Sequence, residues 1–205
     1  MDLSGLTRPV TDLLDGAMDR APILGYTRIG SGLRRHWWPA DPAPDSLTGK
    51  RVVVSGATAG IGLQMARAFA GLGATVHLLG RDPDKVRRCV RAITAEFPAA
   101  EVVGEVCDVS DLGEVADWTA GFANRVPALN GLVHNAGLMP KQRHVTGQGH
   151  ELQLATHVLG PQLMTERLLP LLRAARGASV VFVSSGGMYS TPLVIDDLEY
   201  RKDYN

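Results

Sequence analysis

The stretch Arg-Val-Val-Val-Ser-Gly-Ala-Thr-Ala-Gly-Ile-Gly, residues 51 to 62, decides the fold that we predict for this chain. Its three consecutive valines are typical of a strand that is buried on both faces of a parallel sheet. Gly56 can adopt the backbone angles of a sharp turn, while Gly60 and Gly62 allow the main chain to approach a ligand or a neighbouring strand. The stretch therefore predicts a strand, a tight turn and the N-terminus of a helix. One face of that helix is predicted to be apolar, formed by Ile61, Met65, Ala68, Phe69 and Leu72.

A helix N-terminus in this position is suited to an anionic ligand. Its first N–H groups lack partners within the helix and carry a partial positive charge, so a pyrophosphate could bind there. The glycine spacing, however, is Gly-x-x-x-Gly-x-Gly and differs from the Gly-x-Gly-x-x-Gly fingerprint of dinucleotide-binding proteins. Because Gly-rich turns also join strands to helices without any ligand, this motif alone leaves a ligand-free turn as an alternative.

The composition is that of a neutral globular chain. Its 205 residues are enough for one domain with a sizeable core, and Lys plus Arg equals Asp plus Glu at 21 each, which gives no argument for nucleic acid as a partner. No apolar run reaches the length of about 20 residues that spans a membrane, and the N-terminus lacks the pattern of a signal peptide. Cys89 and Cys107 show no ligand spacing. We therefore expect a cytoplasmic protein with free thiols and no metal site.

Strand and helix patterns alternate from Gly49 onward, which predicts an α/β fold with a doubly wound parallel sheet. The helical patterns cover residues 82–97, 110–124 and 149–175. In the last of these we expect a disturbance at Pro161 and an end near Pro170. Residues 49–205 are predicted as a single domain, since no repeat or second domain is visible. The strand patterns after the first one cover residues 75–79, 101–106, 129–134 and 179–184.

Residues 1–48 differ from the rest and are predicted to form a separate N-terminal arm. The segment 20–38 carries four arginines and no acidic residue, and it ends in His36, Trp37 and Trp38. Three prolines then break any helix before the first strand of the sheet. We favour an arm that packs its apolar side on the domain. The alternative is a weak contact with a membrane surface or a partner through the basic segment.

Residues with binding chemistry follow the second and third strands, and doubly wound sheets bind ligands beyond the carboxyl ends of their strands. Gly80 leaves room and Arg81 offers a charge-assisted donor for a 2′-phosphate, which favours NADP over NAD. An ordinary surface arginine is the alternative. Asp108 could accept a hydrogen bond from an exocyclic amine such as that of adenine, with Val109 against the ring. A helix N-cap is the alternative for this aspartate.

The fourth and fifth strands end in small and polar residues. Asn135-Ala136-Gly137 allows a flat ring or a sugar to lie against the backbone, although an ordinary turn has the same composition. Asn135 can also tie neighbouring strand ends together. A hydroxyl of Ser184-Ser185 can hydrogen-bond a substrate carbonyl, or the pair can be part of an ordinary loop. The sequence does not support a serine hydrolase, because it has no Gly-x-Ser-x-Gly nucleophile elbow.

Together these motifs resemble the short-chain dehydrogenase/reductase superfamily. The resemblance covers about residues 49–190. The tail from Ser184 to Leu198 and the N-terminal arm before the sheet are most similar to the retinol-dehydrogenase-like branch. It implies a Rossmann-type sheet in which five of the usual seven strands are present. The matching segments, in the family's order and spacing, are Ser55-Gly56-Ala57-Thr58-Ala59-Gly60-Ile61-Gly62, Asp108, Asn135-Ala136-Gly137 and Val181-Phe182-Val183-Ser184-Ser185.

The resemblance implies hydride transfer between a nicotinamide cofactor and a small-molecule carbonyl or alcohol. The family's acid/base is a Tyr in Tyr-x-x-x-Lys, and Ser185 would polarise the substrate oxygen. Arg81 would favour NADP, and NAD is the less favoured cofactor. The other implied cofactor residues are Ser55, Gly56, Gly60, Ile61 and Gly62 at the pyrophosphate, Asp108 and Val109 at the adenine, and Asn135, Ala136 and Gly137.

The chain departs from the family's pattern at two points. It contains no Tyr-x-x-x-Lys, and the family's assisting Asn falls on His157, for which a structural role and a proton relay are both open. The segment 179–184 would also be an uncovered sheet edge, which favours pairing with another chain. We therefore expect a C-terminally truncated form or one that completes its fold with a partner, and an oligomer is possible. The two hypotheses are an NADP-dependent oxidoreductase and a non-catalytic nucleotide-binding or interaction protein.

Overall fold

A computed structural model describes residues 8–20, 27–185, 193–202 and 204 of the chain. The chain divides into two compact units, Met1–Ala43 and Pro44–Asn205. Within the described residues of the first unit, 8–20 and 27–43, there are two helices, α1 (Arg8–Asp19) and α2 (Arg28–Arg34). Residues 44–48 belong to the second unit, where Leu47 donates its backbone N–H to the carbonyl of Leu72. None of the described helices is long and apolar enough to cross a membrane.

A five-stranded parallel sheet forms the centre of the second unit. Its strand order is β3-β2-β1-β4-β5, so the order reverses between β1 and β4. The predicted α/β fold with a Rossmann-type, doubly wound parallel sheet is confirmed. The strands are β1 (Arg51–Ser55), β2 (Thr75–Gly80), β3 (Val102–Val106), β4 (Gly131–His134) and β5 (Ser179–Phe182).

Helices cover both faces of this sheet. On one face, α3 (Gly60–Gly71) and α4 (Pro83–Glu96) enclose a core that includes Val52, Val54 and Leu78. On the other face, α5 (Leu112–Ala123) and α7 (Gly160–Ala174) enclose a core with Val53, Phe122 and Leu168. A helical turn α6 (Leu152–Leu154) and a π-helical turn (Ala155–Leu159) lead into α7, and a 3-10 turn (Ile195–Asp197) follows β5 along the chain.

The predicted apolar face of α3 is correct only in part, since Met65 and Phe69 pack against the core but Ile61 does not. Ile61 is 66% exposed, whereas Gly62, Ala66 and Ala70 are buried against the sheet. These small side chains bring the helix close to the strands, and a larger apolar residue would not fit between them. The prediction considered only the large apolar residues of the helix, whereas the residues that lie closest to the sheet are small.

The long helix before β5 does not end near Pro170. Pro170 lies inside α7, which continues to Ala174. A proline removes the hydrogen bond to the carbonyl four residues earlier, here Glu166. Both residues lie on the exposed side of α7, so water can satisfy that carbonyl while Leu168, Leu171 and Leu172 hold the helix against the sheet. The disturbance expected at Pro161 is observed as the π-helical turn directly before it.

β5 forms one edge of the sheet and is exposed along its length. Val181 is 46% exposed and Phe182 is 54% exposed. The expectation of an apolar sheet edge at residues 179–184 therefore agrees with the structure. Gly186 and Gly187, which follow the predicted serine pair, lie outside the described residues.

Candidate functional site

A cleft of about 440 Å³ lies beyond the carboxyl ends of the central strands, on both sides of the reversal in strand order. This is where doubly wound sheets bind their ligands. Most of the residues predicted from the sequence to bind a cofactor line this cleft. They are Gly56, Gly60, Ile61, Arg81, Asp108, Val109, Asn135, Ala136 and Gly137.

The glycine turn after β1 forms the inner end of the cleft. Gly56 has a φ of +65°, and a Cβ added to it would lie 2.7 Å from the Cα of Ala136. A Cβ at Gly62 would lie 2.4 Å from Nδ2 of Asn135 and 2.5 Å from the carbonyl oxygen of Gly56. At Gly60, with a φ of +53°, an added Cβ would meet nothing within 4 Å. Gly56 and Gly62 thus allow close packing of the protein itself, whereas Gly60 faces open space at the N-terminus of α3.

Ser55 and Gly62 lie behind the wall of the cleft and do not line it. Ser55 is 1% exposed, and its hydroxyl accepts hydrogen bonds from the backbone N–H groups of Asn135 at 3.0 Å and Ala136 at 3.1 Å. Asn135 in turn donates from Nδ2 to the carbonyl of Ser55 at 3.1 Å. The expectation that Asn135 ties neighbouring strand ends together agrees with this geometry. These bonds fix the ends of β1 and β4 relative to each other, which sets the shape of the cleft.

The end of β2 carries a cluster of charged groups. A Cβ at Gly80 would lie 2.6 Å from Cγ2 of Thr58, so this position has no room for an acidic side chain. Arg81 follows and is exposed in the cleft, with Lys85 near it on the same wall. Asp82 caps α4 by accepting from the N–H groups of Asp84 at 2.9 Å and Lys85 at 3.0 Å. The hydrogen bond from Lys85 is the largest cause that holds the pKa of Asp82 below its ordinary value.

Asp108 lies at the end of β3 in an Asx turn. Its Oδ1 accepts from the N–H of Ser110 at 2.9 Å and from the hydroxyl of the same serine at 2.7 Å. The N-cap of α5 is Asp111, which accepts from the N–H groups of Gly113 and Glu114. The alternative reading of Asp108 as the helix cap is therefore wrong, because the residue that caps the helix lies three positions later. Burial raises the pKa of the neighbouring Cys107 thiol to about 12, so this thiol stays neutral in the cleft.

A second pocket, of about 620 Å³, lies on the other side of the Asn135–Leu138 segment. Ser185 and His157 both line it, together with apolar groups of Met139, Phe182 and Val183. The structure thus brings the predicted catalytic serine and His157 to one pocket next to the cleft. Ser185 and His157 are far apart in the sequence, and only the family resemblance indicated that they would lie in the same pocket.

His157 holds the wall between the cleft and the second pocket. Its Nε2 accepts the backbone N–H of Leu138 at 3.1 Å. Burial lowers the pKa of His157, with the Glu151 carboxylate opposing that shift, which favours the neutral ring that this bond needs. In the neutral ring the proton is therefore on Nδ1. Within the described residues, this geometry gives His157 a structural contact; the proton relay stays a prediction.

His134 is a functional candidate that the sequence did not reveal. It is 4% exposed at the end of β4 and lines the second pocket. The Thr165 hydroxyl donates to the carbonyl of Pro161, so it accepts from Nε2 of His134 at 2.8 Å. Burial lowers the pKa of His134 to about 4, and the ring is neutral at pH 7. No pattern around His134 distinguishes it from an ordinary strand residue in the sequence.

The model of the short chain dehydrogenase family matches residues 50–193. The chain belongs to the short chain dehydrogenase family. Its relatives include a "Probable oxidoreductase" of Streptomyces lividans, 37% identical over 161 residues, with 78% of this chain and 53% of the relative covered. Retinol dehydrogenase 12 of Bos taurus is 35% identical over 159 residues, with 78% and 50% covered. The predicted superfamily and its retinol-dehydrogenase-like branch are confirmed.

Solved structures of the short chain dehydrogenase family share this fold. A candidate short chain dehydrogenase from Escherichia coli CFT073, complexed with NADPH, has a TM-score of 0.61 and 30% identity, with 70% of this chain and 62% of that chain covered. An uncharacterized protein from Mycobacterium paratuberculosis has a TM-score of 0.67 and 32% identity, with 80% and 56% covered. The chain spans about half the length of the curated relatives described above.

Several residues of this short chain dehydrogenase cleft were not predicted from the sequence. Lys85 lies in the first turn of α4, and its position after Arg81 and the Asp82 cap is a signal that could have identified it. Thr156 reaches the cleft only because the π-helical turn carries it there. Within the described part of the chain, no three His, Cys, Asp or Glu side chains are grouped as metal ligands would be. Gly80, which was expected to leave room for a 2′-phosphate, also lines the cleft, as do Thr58 and Ala59 of the glycine stretch. The other unpredicted lining residues are Leu79, Asp82, Cys107 and Leu138.

Proposed function

We propose that this chain forms the dinucleotide-binding part of an NADP-dependent oxidoreductase that transfers a hydride between the cofactor and a small-molecule carbonyl or alcohol. The observation that carries the proposal is the cleft at the strand-order reversal, with Gly60 open at the N-terminus of α3. A bound nicotinamide cofactor would supply the hydride chemistry. The residues of the chain bind and orient it.

The cleft fits a dinucleotide in charge as well as in shape. Free N–H groups at the start of α3 suit a pyrophosphate, and Gly60 allows it to come close to the main chain. Asp108 offers a carboxylate oxygen to an exocyclic amine of the adenine, and Val109 offers an apolar surface to its ring. Asn135, Ala136 and Gly137 leave space at the opposite end of the cleft, next to the second pocket.

The proposed preference for NADP over NAD rests on the residues at the end of β2. Gly80 has no room for a carboxylate that would accept from a ribose 2′-hydroxyl, and Arg81 and Lys85 are placed to bind a 2′-phosphate. The chain of the Escherichia coli relative was solved with NADPH. In the second pocket, Ser185 would donate a hydrogen bond to the substrate oxygen.

We expect Arg81→Ala to weaken NADPH binding by about tenfold or more while changing NADH binding by less than about threefold, because a charge-assisted bond to the 2′-phosphate is lost. Fluorescence titration of both cofactors measures this. The matched control is Arg91→Ala, an exposed arginine on α4 that does not line the cleft. Equal losses for NADPH and NADH would contradict the assignment of NADP, and an absence of binding of either cofactor to the unaltered chain would contradict the proposed function.

The second candidate function is a nucleotide-binding or interaction protein without catalysis. It is favoured by one observation, the lack of a Tyr-x-x-x-Lys among the 205 residues. Incubation with NADPH and a panel of carbonyl compounds separates the two candidates. Turnover that Ser185→Ala abolishes would reject the second candidate, whereas NADPH binding without any turnover would support it.

A further inference from the structure

The first unit of the chain has an unusual distribution of polar and apolar side chains. Arg34 of α2 is only 7% exposed. Its guanidinium contacts Oδ1 of Asp15 at 2.9 Å and Oδ1 of Asp19 at 2.5 Å, and both aspartates lie on α1. Trp38 adds a hydrogen bond from Nε1 to Oδ2 of Asp15 at 3.3 Å. A network of charged groups therefore joins α1 to α2.

Most of the large apolar side chains in the described part of the same unit are exposed, and Trp37 is half-buried. Among residues 8–20 and 27–43, Met18 is the only large apolar side chain that is buried, at 8% exposure. Two short helices gain little stability in water without a buried apolar face. Its exposed apolar side chains are Val10, Leu13, Leu14, Ile29, Leu33 and Trp38.

The apolar residues of α1 form a continuous stripe. Val10, Leu13, Leu14 and Ala17 follow the spacing i, i+3, i+4 and i+7, which places them on one face of the helix. Leu13, at the centre of this stripe, is 72% exposed. Asp15 and Asp19 form ion pairs with Arg34 on another side of α1. None of the four residues of the stripe is charged. An exposed apolar stripe of this kind is typical of a surface that binds a membrane or another protein.

The helix α2 contributes exposed basic groups and a tryptophan. Arg28, Ser31, Gly32 and Arg35 follow the same spacing along one face and line a hollow of about 720 Å³ together with Trp38. Asp41 also lines this hollow, so the two arginines outnumber the single carboxylate there. Exposed arginines next to a tryptophan on α2, together with an uncharged apolar stripe on α1, match the two layers of a bilayer surface, where phosphate headgroups lie above acyl chains.

We propose that α1 and α2 bind the surface of a phospholipid bilayer that contains anionic headgroups. The stripe Val10-Leu13-Leu14-Ala17 lies in the boundary between headgroups and acyl chains. Arg28 and Arg35 bind headgroup phosphates at the hollow, and the Arg34 network holds Asp15 and Asp19, two of the three aspartates of α1, away from the lipid. This binding is independent of the proposed oxidoreductase function, since none of its residues belongs to the dinucleotide cleft.

The test is sedimentation of the full chain with vesicles of phosphatidylcholine, with and without about one third phosphatidylserine. We expect binding to both, stronger by about fivefold or more with phosphatidylserine. Leu13→Glu should reduce binding by about tenfold or more, because it places a charge in the stripe. The matched control is Leu193→Glu, which changes a residue of the second unit that is 77% exposed and should leave binding unchanged.

A second pair of variants tests the basic hollow. The double variant Arg28→Glu and Arg35→Glu should abolish the preference for phosphatidylserine, whereas Arg91→Glu on α4 should retain it. Circular dichroism checks that the variants keep their helices. The proposal is overturned if the unaltered chain stays in the supernatant with both vesicle types, or if Leu13→Glu binds as well as Leu193→Glu. It is also overturned if the stripe proves to be covered by a second copy, seen as a dimer in solution that Leu13→Glu dissociates and that does not bind vesicles.

Discussion

Replacing Glu105 by alanine is expected to lower the free energy of unfolding by about 2–3 kcal/mol, because a buried carboxylate that accepts four hydrogen bonds is removed while the half-exposed Arg125 can still be solvated. Glu105 is 4% exposed on β3, and each of its carboxylate oxygens accepts two hydrogen bonds. Oε1 accepts from Nδ1 of His77 at 3.0 Å and from Nη1 of Arg125 at 3.1 Å. Oε2 accepts from Nε1 of Trp118 at 2.9 Å and from Nη2 of Arg125 at 2.8 Å. The substitution leaves these donors without their acceptor.

Urea denaturation of the variant and of a matched control measures this effect. The control is Glu101→Ala, which removes an exposed carboxylate that accepts from the hydroxyl of Thr75 at 2.8 Å. We expect it to cost less than about 1 kcal/mol, because water can replace the lost hydrogen bond. Similar costs for Glu105→Ala and Glu101→Ala would show that the buried network does not stabilise the sheet.

The pH dependence of the stability lost in Glu105→Ala gives an independent check. Burial would raise the pKa of Glu105, but the hydrogen bonds from His77, Arg125 and Trp118 outweigh it and lower the pKa from 4.5 to about 2. Because the pKa in the folded state is depressed, the stabilisation is fully present above the unfolded pKa and is lost as the pH falls from about 5 toward 2. The difference in unfolding free energy between the unaltered chain and Glu105→Ala should therefore shrink over this pH range.

Gly160→Ala is expected to lower the free energy of unfolding by about 3 kcal/mol or more, at the upper end of overpacking effects. Gly160 begins α7, and a Cβ added to it would lie 1.9 Å from the carbonyl oxygen of Val109 and 3.1 Å from that of Ala155. Both neighbours are backbone atoms, so no side chain can rotate away. Relief requires either α7 or the loop after β3 to move, and Val109 of that loop lines the cleft.

The chain offers a closely matched control in Gly121→Ala. Gly121 also lies in a helix, α5, but an added Cβ would meet nothing within 4 Å. An alanine there should raise stability by about 0.5–1 kcal/mol through its higher helix propensity. Thermal and urea unfolding of both variants should thus shift in opposite directions. Equal shifts would mean that helix propensity alone decides both substitutions and that α7 does not pack tightly on the loop after β3.

The parts of the fold that the sequence predicted are those encoded by neighbouring residues. The strand Arg51–Ser55 and the Gly56 turn are encoded by β-branched residues and by a glycine with positive φ, so they could be read directly. The inner face of α3 could not, because Gly62, Ala66 and Ala70 are small and carry no apolar signal. Pro170 was misread because its effect depends on which side of the helix it occupies, and tertiary packing sets that side.

Contacts between distant residues were invisible in the sequence for a different reason. The hydrogen bonds of Ser55 to Asn135 and Ala136 join residues 80 and 81 positions apart, and they exist only once β1 and β4 are neighbours. From the sequence we predicted that Ser55 binds a cofactor, whereas in the structure its hydroxyl joins the ends of β1 and β4. The network around Glu105 and the contact of His157 with Leu138 likewise depend on the strand order and the π-helical turn.

The most direct test of the dinucleotide site is a calorimetric titration of NADPH into the unaltered chain, Gly60→Asn and Gly60→Asp. An added side chain at Gly60 has open space, and Asn and Asp both tolerate its φ of +53°, so the two variants differ chiefly in charge. A carboxylate at the N-terminus of α3 would repel the pyrophosphate. We predict saturable binding to the unaltered chain and weaker binding to both variants, because a side chain at Gly60 takes up space beside the pyrophosphate, with Gly60→Asp weaker than Gly60→Asn by about tenfold or more. Equal affinities of the two variants, or no binding to the unaltered chain, would contradict the assignment of the cleft.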